Sequence, residues 1–151
     1  MSIVKDFRFP VSVRLIEGRR TIASAVDKNE LEIATPPEFR DGVPGVWSPE
    51  ELLVSAAASC YAVTLAAVLE RRAIPVHSLS VSAAGHVTRR DDGRFGFVAV
   101  ELDLHLETDG ERIDDAVRAA TRAKDLCIVN MALDVPVRLG HDIRAAELEA
   151  V

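Results

Sequence analysis

Cys60 and Cys127 are the only two thiols in this 151-residue chain, and each falls on the inner side of an expected helix. A thiol beside an arginine ionises more readily, and the thiolate is the reactive form. Reduction of a peroxide needs such a thiolate and a second thiol that resolves the resulting sulfenic acid. Taken singly, each cysteine reads first as a small inert hydrophobe of the core, and it is their joint setting that raises the redox reading. His77, His86, His105 and His141 have no partner three or four residues away, so no metal constellation forms. They read as surface or strand histidines, and Arg8, Arg14, Arg71 and Arg72 as solvated charges. There is no GxSxG, no phosphate loop and no GxGxxG. Trp47, the single tryptophan, reads as a core plug, with a pocket wall as the alternative because it abuts a helix start.

The elements that must position these residues follow from the pattern. Residues 7–16 alternate loosely and read as a strand with Pro10 near its start. Segments 21–26 and 31–35 complete a three-strand antiparallel meander. Residues 36–49 hold four prolines and two glycines and read as an ordered loop. Ser48, Pro49 and Glu51 then form a helix start: an N-cap, a first-turn proline and a closing carboxylate. The helix runs from 49 to about 71 and stops before Pro75. Its stripe is Leu53, Ala56, Ala57, Cys60, Val63, Thr64, Ala67 and Val68.

Within that helix, 52–69 are 18 consecutive uncharged residues, at the lower edge of a membrane span. The stretch is rich in alanine and carries Ser55, Ser59, Tyr61 and Thr64, so a buried core helix is the preferred reading. A chain this size struggles to wrap a helix of about 27 Å, at 1.5 Å per residue, and a partner subunit is the natural cover. Strands follow at 76–86 and 95–106 around a hairpin containing Asp92-Gly93. An amphipathic helix over 111–124, a short helix near 127–132, a strand at 135–139 and a charged tail over 144–151 complete the chain. The expectation is one α+β domain over 1–151, an antiparallel sheet around a long central helix.

Composition narrows the function classes. Hydrophobic residues make 48% of the chain and charged ones 28%, a globular balance that excludes wholesale disorder. A net charge of -6 argues against a nucleic-acid module. Two distant cysteines exclude a disulfide scaffold, a zinc knuckle and a CxxC motif. The opening MSIVKDFRFP has no signal-peptide pattern, so the expectation is a cytoplasmic protein without a membrane partner.

Pro49-Glu50-Glu51-Leu52-Leu53 followed by Ala56-Ala57-Ala58-Ser59-Cys60, with a distant second cysteine in Cys127-Ile128-Val129-Asn130, resembles the OsmC-like family. That family comprises osmotically inducible and organic-hydroperoxide-resistance proteins, and the resemblance spans roughly Arg14 to Leu139. It implies a thiol peroxidase acting on organic hydroperoxides as an intertwined homodimer. By that resemblance Cys60 matches the peroxidatic cysteine and Cys127 the resolving one. Glu50 matches the carboxylate that holds an arginine against the thiolate, and Arg20 or Arg19 falls in the hairpin where that arginine sits. Arg40 is the alternative. The chain departs from the hydroperoxide-resistance branch in having Cys127-Ile128 rather than Cys-Pro, and Glu17-Gly18 rather than a glycine pair. The same resemblance implies an external dithiol reductant, of lipoyl type, and no metal or bound cofactor.

Helix geometry bears on the dimer separately. Glu50 and Cys60 are ten residues apart on one expected helix, about 15 Å of rise. A carboxylate that helps organise this thiol then has to come from a second subunit. Read by itself, Glu50 is a first-turn acid that complements the helix dipole. The rival functional reading is a redox-inert binding protein that holds a small apolar ligand in a dimer cleft. A purely structural stress protein is the third.

Overall fold

The computed structural model describes residues 4–147, in two compact units that divide between Leu52 and Leu53. In the first unit, β1 (Ser12–Glu17), β2 (Arg20–Ser24) and β3 (Leu31–Ala34) form an antiparallel sheet in sequence order, as the meander predicts. The strand expected from residue 7 begins only at Ser12. Ser12 faces Ser24, where β2 ends, so the preceding residues have no partner strand, and Pro10 has no N–H to offer one. Phe7, Phe9, Val11, Val13 and Leu15 still alternate, and all five are exposed.

The proline-rich segment after β3 is an ordered loop. Ala34 donates to the Trp47 carbonyl and Val43 to that of Thr35, each at 2.9 Å. Gly42 is required there: a Cβ would lie 2.1 Å from the Pro36 carbonyl oxygen, a backbone atom with no room to give. The loop ends in the expected capping box. The Ser48 N–H donates to Glu51 Oε2 at 2.9 Å, and the Glu51 N–H donates to Ser48 Oγ at 3.1 Å.

From this cap α1 (Pro49–Arg71) runs unbroken for 23 residues. Its stop is a paired C-terminal turn: the Ile74 N–H reaches Leu69 O at 2.9 Å and the Ala73 N–H reaches Glu70 O at 3.0 Å. Ala73 adopts the positive φ usually given to glycine at that place. The buried face is Ala57, Tyr61, Leu65, Val68 and Leu69, rotated from the expected stripe, while Ala56 and Val63 are exposed. A helix apolar on nearly every side gives periodicity little with which to choose a face. Tyr61 is the discriminating residue, because its hydroxyl has a buried acceptor, the Ala120 carbonyl at 3.0 Å. Among the described residues, α1 is the one helix long and apolar enough to cross a membrane by length and composition.

The second unit continues with β4 (Ser78–Arg89), β5 (Phe95–Thr108), a 3-10 turn, α2 (Ile113–Leu126), α3 (Ile128–Met131) and β6 (Val137–Ala145). On β5, Val100, Leu102, Leu104 and Leu106 face inward, while Asp103 and His105 are exposed, the period-2 pattern of a half-buried strand. These residues, the buried face of α1 and the α2 alanines Ala116, Ala119, Ala120 and Ala123 form the core. The all-antiparallel sheet of the sequence reading needs correction. There are two three-stranded sheets, and in the second β6 pairs β5 in parallel. The crossover through α2 and α3 returns the chain to the end at which β5 began, and a parallel pair needs such a connection. β6 is also longer than predicted. Its pairing extends to Ala145 opposite Thr108, absorbing the start of the expected charged tail, whose residues 148–151 lie outside the described ones.

Candidate active site

Cys60 lies mid-way along α1, and Cys127 lies at the break between α2 and α3. Both are free thiols, Cys60 half-buried and Cys127 fully buried. The break matters. Cys127 leaves the helical conformation at φ -71°, ψ 108°, and the chain re-enters a helix at Ile128 with its first amides unspent on helical bonds. The backbone N–H groups of Val129 and Ile128, the Cys127 thiol and the Thr64 hydroxyl all favour the ionised form of the Cys60 sulfur.

The two sulfurs are therefore neighbours with opposite tendencies. Burial opposes ionisation of Cys60, but its four donors outweigh that penalty and hold its pKa below that of a free cysteine. Burial also acts on Cys127, and the adjacent Cys60 adds to it, so its pKa lies above the free value despite the N–H groups of Asn130 and Val129. Of the two, Cys60 is the sulfur that ionises first. An ionised sulfur of this kind attacks an electrophile, and a thiol in contact with it is placed for disulfide formation.

The other residues singled out by sequence lie in the first unit. The Arg20 Nε donates to Glu32 Oε1 at 2.6 Å, and its Nη2 pairs with the same oxygen. Arg19 and Arg20 line a cavity of about 490 Å³ with Glu17, Asp41 and Val43. Arg40 is exposed and lies 3.8 Å from Asp41. Glu50 keeps its Oε2 buried without a hydrogen-bond partner. Trp47 is not a core plug: it is half exposed and lines a cleft of about 430 Å³ with Pro36, Pro37, Pro44 and Glu51. The β3–α1 loop carries it on the surface, through a bridge between Ile33 and Trp47.

Sequence reasoning missed Thr64 and the amides of Ile128 and Val129 as groups acting on Cys60. Thr64 was legible, because a residue one turn after a cysteine shares its helix face. The amides carry no side-chain signal. Asn130 was also missed, a buried amide whose oxygen and nitrogen both lack partners beside Cys127.

Comparison with known proteins agrees with the fold. Among curated proteins, YmaD of Bacillus subtilis, an uncharacterised protein, is 25% identical over 138 residues, covering 89% of this chain and 91% of that one. Among solved structures, an OsmC-like protein of unknown function from Vibrio cholerae superposes with TM-score 0.84 at 14% identity, covering 91% of this chain and all of that one. An organic hydroperoxide resistance protein from Elizabethkingia anophelis gives TM-score 0.73 at 18% identity, covering 95% and 100%. The family described as OsmC-like protein matches residues 42–141, two thirds of the sequence, and this chain belongs to that family.

Proposed function

We propose that the protein is a thiol peroxidase that reduces organic hydroperoxides to alcohols. The observation that carries this reading is the asymmetric pair, a Cys60 sulfur biased toward ionisation against a Cys127 sulfur biased toward protonation. The Cys60 thiolate attacks the terminal oxygen of the hydroperoxide and the O–O bond breaks. The alkoxide takes a proton and leaves as the alcohol, and Cys60 becomes a sulfenic acid. The Cys127 sulfur then attacks the Cys60 sulfur, water leaves, and a Cys60–Cys127 disulfide forms. An external dithiol restores both thiols by exchange and is itself oxidised to a disulfide. Exposed Ile128 and Met131, flanking the amides that hold Cys60, favour an organic peroxide over hydrogen peroxide.

In this reading the working form is a homodimer. Ser55, Ala56, Ser59, Val63 and Ala66 leave one side of α1 exposed, uncharged and lined with small residues. The buried, partnerless Glu50 oxygen suits a guanidinium brought by assembly, with Arg20 first, then Arg19 or Arg40. Arg20 retains Nη1 for that role while Glu32 holds its other edge. The test is turnover by the sedimenting dimer, using cumene hydroperoxide and reduced dihydrolipoamide. One cumyl alcohol per dithiol oxidised is expected. Absence of alcohol, with every dithiol recovered, overturns the proposal.

A further inference from the structure

The short helix α3 has its polarity reversed for a surface segment. Its apolar residues Ile128 and Met131 are 66% and 64% exposed, while the polar Asn130 is 8% exposed. Among the described residues, three buried side-chain atoms lack a hydrogen-bond partner, and two of them are the amide oxygen and nitrogen of Asn130. A buried amide with neither half paired is costly, and leucine would fill nearly the same volume without that cost. The turn does not need the side chain. The Met131 N–H reaches Cys127 O at 3.0 Å, the Leu133 N–H reaches Asn130 O at 3.2 Å, and no side chain caps the helix. The place of Asn130 is specific, however. Cys127 is the N-cap of α3, and Asn130 stands three residues on, the position whose side chain lies back beside the N-cap residue. Cys60 packs against the buried cluster that contains Cys127. An amide with a free donor and a free acceptor is thus one turn from the place where the two sulfurs meet.

In the reduced protein neither sulfur satisfies that amide. The proposed cycle brings in a group that can, because a sulfenic acid carries one O–H donor and one oxygen acceptor, the complement of a carboxamide. We infer that the Asn130 amide is the polar partner of the Cys60 sulfenic acid, its Oδ1 accepting the O–H and its Nδ2 donating to the oxygen as the S–O bond breaks. The inference rests on the peroxidase reading and assigns a residue to its second step. In that step the Cys127 sulfur bonds to the Cys60 sulfur, the S–O electron pair leaves with the oxygen, and the Cys127 proton completes a water molecule. The oxygen departs beside a fully buried thiol, where bulk water gives it little support. A preorganised donor counts most where charge develops out of water.

The test follows the two steps separately in the full chain after one equivalent of cumene hydroperoxide. Cumyl alcohol reports the first step, and loss of dimedone-trappable Cys60 sulfenic acid reports the second. The proteins are the parent, Asn130→Leu, Asn130→Ala and Asn130→Ser, each shown by circular dichroism to be folded. Leucine keeps the volume and removes both polar atoms, and alanine guards against misfit of the leucine branch. Serine differs from alanine by a hydroxyl that both donates and accepts. Alcohol formation is expected to stay within about twofold of the parent, because the amide acts after that step. Closure is expected to slow roughly 10- to 100-fold in the leucine and alanine variants, with serine at least about threefold faster than alanine. The leucine variant is expected to melt no lower than the parent. Closure without oxygen separates this role from a merely structural one. Dithiodipyridine converts Cys60 to a mixed disulfide, and Cys127 then expels pyridinethione, whose release is read by absorbance. That rate is expected to stay within about twofold of the parent, since this leaving group needs no donor. Peroxide-driven closure at the parent rate in the folded leucine or alanine variant overturns the assignment. So does equal slowing of both closures, which shows that Asn130 only positions Cys127. A parent that yields neither alcohol nor sulfenic acid refutes the peroxidase reading itself, and the Asn130 assignment with it.

Discussion

Cys60→Ser is expected to lower organic hydroperoxide turnover by roughly 1,000-fold or more, the usual scale for deleting a nucleophile. A serine hydroxyl at this place does not ionise near neutral pH, and the same donors that favour a thiolate cannot make it a comparable nucleophile. Cys127 does not substitute, because it is fully buried and its pKa lies above the free-cysteine value. Alcohol formation under saturating dithiol is the measurement. The parent enzyme supplies the accompanying pH signature. With the Cys60 pKa below that of a free cysteine, the thiolate fraction and the turnover reach their plateau at a lower pH than those of an unperturbed thiol. Both fall away as pH drops through the lowered value. Turnover in Cys60→Ser within tenfold of the parent contradicts the assignment.

Cys127→Ser is expected to retain the first step and lose the second. One equivalent of hydroperoxide yields one equivalent of alcohol and leaves Cys60 as a sulfenic acid, trapped on its peptide by dimedone. Steady-state turnover with dithiol is expected to drop about 100-fold or more, because an intramolecular thiol is replaced by one from bulk solution. Serine preserves the volume of the buried site to within one sulfur-for-oxygen exchange, so unfolding does not account for the loss. A variant that turns over at the parent rate, with no trapped sulfenic acid, shows that Cys127 has no resolving role.

The sequence made the frame of the site legible and left its detail hidden, for identifiable physical reasons. The start of α1 was readable to the residue because a capping box is a local code: Ser48 and Glu51 satisfy each other's amides whatever lies beyond. Its end was equally local. The buried face of α1 was not, because alanine, valine and leucine surround the axis, and only the Tyr61 bond to Ala120, 59 residues away, fixes the rotation. Strand β6 illustrates the same limit. Its apolar alternation was visible, but its length and parallel direction come from pairing with β5. Both cysteines were found from residue type, yet no spacing rule announces that Val129 and Ile128 turn their amides toward Cys60. Trp47 was misread because a lone large aromatic usually fills a core, whereas here the loop it ends carries it to a cleft wall.

The central claim is that Cys60 and Cys127 act as one redox pair. It is tested most directly by adding one equivalent of cumene hydroperoxide to the fully reduced protein without external dithiol, then digesting under acid and mapping the peptides by mass spectrometry. Loss of both free thiols, with the Cys60 and Cys127 peptides recovered joined to each other, is the predicted result. Recovery of both peptides separately as unmodified thiols, with the hydroperoxide unconsumed, contradicts it.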